Sequence, residues 1–309
     1  MRQRGAGFAQ QFCILGNRSN DKGQPMKVLI ATDGSKYGKW ATEWVARMPF
    51  AEKPEVALLH VTDVEALRAP FMFQPVVIGN EPFIQEEIKR IEARGKTAIT
   101  EAKAQMASLK LKGKVQSERG PAGPTILDRA PRRDGIVAIG SRGLDALDRF
   151  MLGSVSTQVT LHAPCSVLIV KEEPRPVSRI LFAADGSKAS EKALRFLLTK
   201  LQPEAREGFE PIDVVVMHAM PFLKYPELKE AGARLVEQCA NKLIKAGYVV
   251  DEVVQLGKPA DEILKVASKK KVDLIVTGAK GMGAVARFLL GSVSTKVVQH
   301  STCSVLVVR

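Results

Sequence analysis

The residue pattern with the clearest chemical meaning is a spaced set of glycines followed by serine, and it occurs twice. The members are Gly140, Gly143, Gly153 and Ser154 in the first set, and Gly278, Gly281, Gly291 and Ser292 in the second. Glycine lets backbone approach a ligand closely and adopt positive φ. Each Gly-Ser pair precedes a predicted helix, whose N-terminal N–H groups suit phosphate. The pattern therefore predicts two phosphate-binding loops, with tight turns and serine N-caps as the alternative.

An acidic residue follows the first predicted strand of each half of the chain. Asp33 and Asp185 each begin an Asp-Gly-Ser sequence. A carboxylate at this position can accept hydrogen bonds from a ribose hydroxyl or an adenine amino group. The alternative is that the aspartate caps the next helix, although Ser35 and Ser187 can serve as caps instead. We favour the ligand-binding role.

Basic residues also recur within the glycine loops. Arg142 and Lys280 each lie between the first two glycines, where they can contact phosphate or point to water, and the sequence leaves both open. No carboxylate recurs in both loops, and GxxxxGK[ST] and GxGxxG patterns are absent, so we predict no catalytic residue and exclude P-loop and dinucleotide-type sites. The recurring pairs His162/Cys165 and His300/Cys303 offer two ligands per half, so we predict buried packing and no metal site.

These residues lie in a tandem repeat. Residues 140–171 and 278–309 align without gaps and are identical at 18 of 32 positions, and 28–35 matches 180–187. We predict domains at 26–171 and 177–309, joined by a linker that contains Pro174 and Pro176, with residues 1–25 as a disordered extension.

Each copy alternates short apolar runs with segments of helical periodicity. Strands are predicted at 27–32, 55–61, 114–119, 135–140 and 166–170 in the first copy, and at 179–184, 212–218, 248–256, 272–277 and 304–308 in the second. A helix is predicted from Ile84 to Met106, and the proline-containing stretch 63–80 is predicted to be a loop. Continuous apolar strands are buried on both faces, as in a parallel sheet, so we predict an α/β fold of two doubly wound, Rossmann-like domains.

Composition excludes several functional classes. The 309 residues are 45% hydrophobic and 26% charged, with four cysteines, which excludes a disordered chain and a disulfide scaffold. No apolar run reaches a membrane span, so we expect a cytoplasmic protein. The net charge of +13 is spread over the extension and both copies, which argues against specific nucleic-acid recognition.

Together the glycine-serine pattern, the Asp-Gly-Ser sequences and the closing His-x-x-Cys-Ser-Val-Leu resemble the universal stress protein family, as two tandem copies. The resemblance implies a five-stranded parallel sheet of order 3-2-1-4-5 in each copy. It also implies pairing of 166–170 with 304–308 as an intrachain pseudo-dimer, and a further homodimer stays open.

The resemblance further assigns site residues. Asp33 and Asp185 would contact adenosine, and the glycines and serines of both loops, with Val155 and Val293 behind them, would hold ribose and phosphates. Backbone at Val61 and Ala219 would meet the adenine, although Ala219 departs from the family's usual valine.

The implied function is an ATP-binding stress-response regulator or sensor with slow or no hydrolysis, which acts on an unidentified protein partner. Mg²⁺ or Mn²⁺ bound through the ATP phosphates is left open. A weak ATP hydrolase and a nucleotide-independent interaction scaffold are the alternatives.

Overall fold

A computed structural model of the chain describes residues 25–64, 81–132, 134–143, 152–203, 211–220, 226–281 and 290–309. Most of the predicted N-terminal extension and of the predicted 63–80 loop lies outside these residues, as do the middle parts of both glycine loops. The parts of each loop that flank its glycines are described.

The described residues form ten strands, and their ends differ from the predicted ones by at most two residues. They are β1 (Lys27–Thr32), β2 (Glu55–Thr62), β3 (Gly113–Arg119), β4 (Ile136–Gly140), β5 (Ser166–Val170), β6 (Arg179–Ala183), β7 (Asp213–Met220), β8 (Val249–Leu256), β9 (Leu274–Gly278) and β10 (Ser304–Val308).

Eight helices connect these strands within the described ranges. They are α1 (Lys36–Arg47), α2 (Glu81–Ser108), α3 (Ala122–Arg129), α4 (Ser154–His162), α5 (Lys188–Lys200), α6 (Pro226–Lys245), α7 (Pro259–Lys269) and α8 (Ser292–His300). The helix predicted from Ile84 is part of α2. None of the described helices is long and apolar enough to cross a membrane.

All ten strands belong to one sheet, in the order β3-β2-β1-β4-β5-β10-β9-β6-β7-β8. Each half therefore has the predicted order 3-2-1-4-5, with parallel pairing inside the half. The two halves join where β5 and β10 pair antiparallel, with Leu168 opposite Leu306. This junction confirms the intrachain pseudo-dimer and covers two strand edges that would otherwise be exposed.

The core consists of two apolar layers, one on each face of the sheet. The alternating residues of β1 divide between them, since Val28 and Ile30 pack on one face and Leu29 and Ala31 on the other. Both layers continue across the β5–β10 junction. Strands β4, β5, β9 and β10 are buried along their whole length, which explains their uninterrupted apolar sequences.

The residue after the last strand of each half reaches into the other half. Lys171 Nζ donates to the carbonyls of Gln299, at 3.2 Å, and Ser301, at 2.7 Å, where α8 ends. Arg309 Nη2 donates to the carbonyl of Thr160, at 2.6 Å, in the last turn of α4. Cations suit helix C-termini because the macrodipole is negative there. Lys171 of the first half therefore binds the C-terminal end of α8, and Arg309 of the second half binds that of α4.

The linker between the halves is also anchored. Trp44 Nε1 donates to the carbonyl of Glu172 at 3.1 Å, which ties the start of the linker to the first half. The buried carboxylate of Asp273 accepts hydrogen bonds from the backbone N–H and hydroxyl of Ser178, both at 2.9 Å, and pairs with Arg175 at 2.6 Å. The linker is therefore held at both ends by hydrogen bonds and an ion pair.

Candidate functional site

A cavity of about 800 Å³ lies at the carboxyl ends of β6, β7 and β9 in the second copy. Its volume falls within the range of small-molecule sites, roughly 300–1,000 Å³. Seven of the eight residues that the sequence assigns to this copy's site line the cavity: Asp185, Ala219, Gly278, Gly281, Gly291, Ser292 and Val293. Carboxyl ends of parallel strands are where open α/β sheets bind ligands.

The first glycine of each loop is required by packing between strand and helix. A Cβ at Gly140 would lie 2.6–2.9 Å from Tyr37 Cβ, C and O, and a Cβ at Gly278 would lie 2.6 Å from the backbone carbon of Ala189. These atoms belong to the first turns of α1 and α5, so they cannot move aside as a flexible side chain can. The first glycine therefore lets the helix lie directly on the strand end.

The second glycine of each loop brings an aspartate against the loop backbone. A Cβ at Gly143 would lie 2.6 Å from Asp33 Oδ2, and one at Gly281 would lie 2.9 Å from Asp185 Oδ2. Any side chain at these positions would push the carboxylate away. The structure thus brings together two features that are more than 90 residues apart in the sequence, the Asp-Gly-Ser sequences and the glycine loops.

The serines of the Asp-Gly-Ser sequences cap the helices that follow. Ser35 and Ser187 are the N-cap residues of α1 and α5, and each hydroxyl accepts the N–H three residues on, at 3.2 and 3.1 Å. The alternative in which the aspartates cap these helices is therefore wrong. Asp33 Oδ1 and Asp185 Oδ1 instead accept the backbone N–H of Ser35 and Ser187, each at 2.9 Å, which orients both carboxylates.

The third glycine of each loop starts the helix that follows it. Gly153 and Gly291 are the N-cap residues of α4 and α8, and no described side chain caps either helix. Ser154 and Ser292 are the first helical residues, so the alternative in which they are N-caps is wrong. The first N–H groups of α8 consequently border the cavity together with the exposed Ser292 hydroxyl.

A second serine fixes each of these helices to its strand, and the sequence did not single it out. Ser156 Oγ donates to the carbonyl of Gly140 at 2.7 Å, and Ser294 Oγ donates to that of Gly278 at 2.8 Å. Both serines are buried. Their recurrence in the Gly-Ser-Val-Ser sequence was the available signal.

The two basic loop residues lie in different surroundings. Arg142 Nη1 donates to Tyr37 Oη at 2.9 Å, and its guanidinium carbon lies 5.4 Å from the centre of the Tyr37 ring. In the second copy Ala189 packs against Gly278 where Tyr37 packs against Gly140. The carbonyl of Lys280 accepts a hydrogen bond from Ser187 Oγ at 3.2 Å. Lys280 is the predicted site residue of this copy that does not line the cavity.

Near the end of the second strand of each half, a histidine precedes the residue predicted to meet adenine. His60 precedes Val61 in β2, and His218 precedes Ala219 in β7. Val61 and Ala219 are half-buried against the core, and Val155 and Val293 lie beside the same layer. The histidine before each strand residue was missed by sequence reasoning, although it recurs at the same place in both copies. His60 Nδ1 lies 3.0 Å from the carbonyl of Thr32. His218 Nδ1 lies 2.7 Å from that of Ala184.

The recurring histidine–cysteine pairs do not form one environment. Cys165 and Cys303 are buried as predicted, and burial raises the pKa of these thiols to about 12 and about 11. His162 and His300 are exposed, so the prediction that they pack in the core is wrong. The described residues include no group of three or more His, Cys, Asp or Glu side chains able to hold a metal ion.

Comparison with known proteins identifies the repeat. The family model described as "Universal stress protein family" matches the chain twice, over residues 25–171 and 176–309. A universal stress protein of Mycolicibacterium smegmatis is 29% identical over 305 residues, which cover 91% of this chain and 96% of the relative. One from Mycobacterium tuberculosis is 29% identical over 313 residues, with 91% and 94% covered.

A single-copy relative agrees with this assignment, and a solved structure agrees with the fold. A universal stress protein of Bacillus subtilis is 34% identical over 148 residues, which cover 43% of this chain and 99% of the relative. The crystal structure of a universal stress protein from Archaeoglobus fulgidus superposes with a TM-score of 0.64 at 22% identity and covers 92% of this chain and 98% of its own. At that identity the likeness shows the fold.

Proposed function

Because the chain belongs to the universal stress protein family, we propose that it is a stress-response regulator or sensor that binds ATP in its clefts and hydrolyses it slowly or not at all. The observation that carries the proposal is the cavity of the second copy, whose wall contains seven of the eight predicted site residues. Its three regions suit the three parts of a nucleotide.

The phosphate end lies at β9 and α8. Gly281, Gly291 and Ser292 border the cavity there, next to the N-terminus of α8. Helix N-termini carry a partial positive charge and N–H groups that point outward, and both features favour a phosphate. The hydroxyl of Ser292 adds a donor at the same place.

The base end lies two strands away, at β7. Neighbouring strands are about 4.8 Å apart, so β7 is roughly 10 Å from β9. Ala219, Met220, Leu235 and Ile263 make this end of the cavity apolar, which suits the face of a purine. Asp185 follows β6, the strand between the two ends, where its carboxylate can accept a hydrogen bond from a ribose hydroxyl.

The first copy carries the same set of residues, and we propose a second nucleotide site there. Its members are Asp33, Val61, Gly140, Arg142, Gly143, Gly153, Ser154 and Val155. The close approach of Gly143 to Asp33 repeats that of Gly281 to Asp185, which supports a similar cleft. In either copy a divalent Mg²⁺ or Mn²⁺ would be held through the ATP phosphates.

The charged groups that line the cavity support slow or absent hydrolysis. Among the described residues that line the cavity, Asp185 is the one carboxylate, and its Oδ1 already accepts the backbone N–H of Ser187. Efficient phosphoryl transfer needs a positioned base and charge clamps at the phosphate. Phosphate release at or near the rate of buffer under saturating ATP supports this part of the proposal, and rapid multiple turnover contradicts it.

Thermal unfolding with and without nucleotide tests binding directly. A ligand at 100 times its Kd stabilises the folded state by about 2.7 kcal/mol. A Cβ at Gly153 or Gly291 would meet its neighbours at ordinary contact distances of 3.4 Å or more, so we expect valine to be tolerated there and to obstruct the proposed phosphate end. We expect ATP to raise the unfolding temperature of the wild type and of both single valine variants, but not of the double variant.

GTP and AMP serve as the nucleotide controls in this experiment. Absence of any shift at millimolar ATP in the wild type contradicts the proposal and favours a nucleotide-independent scaffold. A shift that persists in the double variant places the nucleotide elsewhere on the molecule.

A further inference from the structure

An imidazole in the wall of the second copy's cavity has a fixed tautomer. His218 lines the cavity, and its Nδ1 lies 2.7 Å from the carbonyl oxygen of Ala184. A carbonyl oxygen can only accept a hydrogen bond, so Nδ1 carries the proton and donates it. In the neutral ring Nε2 is then an acceptor, because one ring nitrogen donates and the other accepts.

The described residues around the ring give this acceptor no hydrogen-bond partner. Among the described residues, the bond from Nδ1 is the one hydrogen bond that His218 makes. Helix α6 passes the ring at Gly232, where a Cβ would lie 2.8 Å from His218 Cδ2 and 3.5 Å from Nε2. Because glycine has no side chain, the helix backbone lies close to the ring, and the methyl carbon of Met220 lies 2.2 Å from where that Cβ would be, beside the same edge. The ring itself is half-buried.

His218 is also the polar side chain of the base end. The described cavity residues with polar side chains are Asp185, His218, Thr277, Ser292 and Ser294. The base end is formed by β7, α6 and α7. Among the described residues of these three elements, His218 on β7 is the one polar side chain that lines the cavity. A base that enters this end therefore meets one side-chain acceptor among apolar neighbours.

We propose that His218 Nε2 accepts a hydrogen bond from the exocyclic amino group of the purine, so that the second copy selects 6-aminopurine over 6-oxopurine nucleotides. The proposal rests on the proposed nucleotide site and names its specificity. A 6-oxopurine presents a carbonyl oxygen at that position, and two acceptors that face each other in an apolar pocket lose both hydrogen bonds. The amino group has two hydrogens, so it can also donate to backbone at Ala219.

The test compares ATP with inosine triphosphate, which replaces the 6-amino group by an oxygen. Calorimetric titrations use the full chain with Gly153→Val, which blocks the first cleft. We expect ATP to bind at least about tenfold more tightly than inosine triphosphate, since sites built for a hydrogen bond reject analogues that lack it.

Two substitutions of His218 separate its nitrogens. In His218→Asn the amide nitrogen reaches the Nδ1 position and keeps the bond to the Ala184 carbonyl, but no acceptor remains at Nε2. In His218→Gln the amide reaches the Nε2 position and its oxygen keeps an acceptor there. We expect His218→Asn to reduce the preference for ATP about tenfold and His218→Gln to retain most of it. His60→Asn, the matched change in the blocked first copy, leaves the preference unchanged.

The outcomes distinguish this inference from the nucleotide site itself. ATP binding with the same preference in His218→Asn overturns the role of His218 and leaves the site intact. No ATP binding with Gly153→Val overturns both for this copy. If a substitution prevents folding, the wild type decides, because the chain has four histidines and their ¹⁵N resonances can be assigned. ATP should shift the Nε2 resonance of His218, inosine triphosphate should not, and equal responses contradict the proposal.

Discussion

The glycine loops of the two copies share a backbone arrangement in their described parts and differ in the side chains around it. In both copies the first glycine lets a helix lie on the strand end, the second accommodates an aspartate, and the third is an N-cap. Around this frame Tyr37 stands where the second copy has Ala189, and Thr62 stands where it has Met220. The two copies therefore share the glycines and aspartates that hold the loop backbone together and differ at some of the side chains around them.

A similar contrast appears directly before the last strand of each half. Cys165 and Cys303 occupy equivalent buried positions, and burial raises the pKa of both thiols, to about 12 and about 11. Ser301 Oγ lies 3.3 Å from Cys303 Sγ and lowers the pKa of that thiol, whereas the first copy has Ala163 at the position of Ser301. Cys303 thus has a hydroxyl neighbour that Cys165 lacks, although both thiols are buried.

The largest expected effect tests the shared backbone. Gly140→Val and Gly278→Val each place a Cβ within 2.8 Å of Tyr37 or Ala189 atoms that belong to a helix start. Overpacking of this kind costs about 3 kcal/mol. Urea denaturation should show that loss in free energy of unfolding for both variants, to a similar extent, because the two contacts are equivalent.

Gly153→Val is the control for this pair, since its Cβ has room and the free energy of unfolding should change little. A stable Gly140→Val with an unstable Gly278→Val would show that the first copy tolerates a displaced helix and that the frames are not equivalent.

Lys171 and Arg309, the two cations at the β5–β10 junction, differ in how readily they lose a proton. A series of measurements at different pH values can therefore tell them apart. Burial lowers the pKa of Lys171 from 10.5 to about 8, while Arg309 at the equivalent position stays protonated throughout that range. Between pH 8 and 10.5 the unfolded chain holds the Lys171 proton and the folded chain does not, so this group makes folding more favourable as pH rises. The gain is up to about 3 kcal/mol over the interval.

Lys171→Arg should remove that dependence and make the junction symmetric. The quantity to measure is the difference in free energy of unfolding between wild type and Lys171→Arg at pH 7.5, 9 and 10.5. We expect the wild type to gain on the variant as pH rises, and a constant difference contradicts the lowered pKa of Lys171.

The buried thiols produce the opposite dependence. Unfolded thiols lose their protons above pH 9, whereas burial keeps Cys165 and Cys303 protonated well beyond it. The folded state then binds more protons, so stability falls as pH rises, by about 2 kcal/mol for each thiol between pH 9 and 10.5. Cys165→Ala and Cys303→Ala, unfolded under reducing conditions from pH 8 to 10.5, should each remove that part of the slope.

The cavity left by each alanine lowers stability at every pH, so the slope is the diagnostic quantity. A variant with the wild-type slope would show that its thiol already ionises in the folded state. The two slopes should match up to pH 10.5, because both folded pKa values lie above it.

Much of the fold followed from local pattern. Continuous apolar runs located the central strands β4, β5, β9 and β10 to within two residues, because these strands are buried on both faces. The edge strands β3 and β8 are largely exposed and more polar, and they too were located to within two residues. The strand order and the β5–β10 pairing came from the family resemblance, since periodicity alone does not order strands. Glycines and aspartates of the site were found because each type has few alternative uses at a strand end.

The remaining site features depend on contacts between distant residues. The hydroxyl of Tyr37 meets Arg142 across 105 positions, and the His218 tautomer is set by a carbonyl 34 positions away. His162 and His300 recur, but recurrence does not distinguish a core position from an exposed last turn of a helix. Sequence pattern gives residue type and spacing, whereas hydrogen-bond partners appear only when the chain has folded.

The smallest expected effect concerns the contact between Tyr37 and Arg142, which the second copy lacks because Ala189 stands at the position of Tyr37. Tyr37→Phe keeps the ring beneath Arg142 and removes the hydroxyl that accepts its Nη1 hydrogen at 2.9 Å. A hydrogen bond to a charged group contributes about 1.5 kcal/mol or less at a partly exposed site. If the hydroxyl positions Arg142 toward the phosphates of a bound nucleotide, ATP affinity of the first copy should fall about three- to tenfold.

Backgrounds that block one cleft assign this effect to a copy. In Gly291→Val only the first cleft is open, and Tyr37→Phe should weaken ATP in a calorimetric titration. In Gly153→Val only the second is open, and Tyr37→Phe should change nothing, because Ala189 offers no hydroxyl there. Tighter binding by Tyr37→Phe in the first background would mean that the hydroxyl holds Arg142 away from the phosphates. The Tyr37 hydroxyl would then weaken ATP binding by the first copy instead of strengthening it.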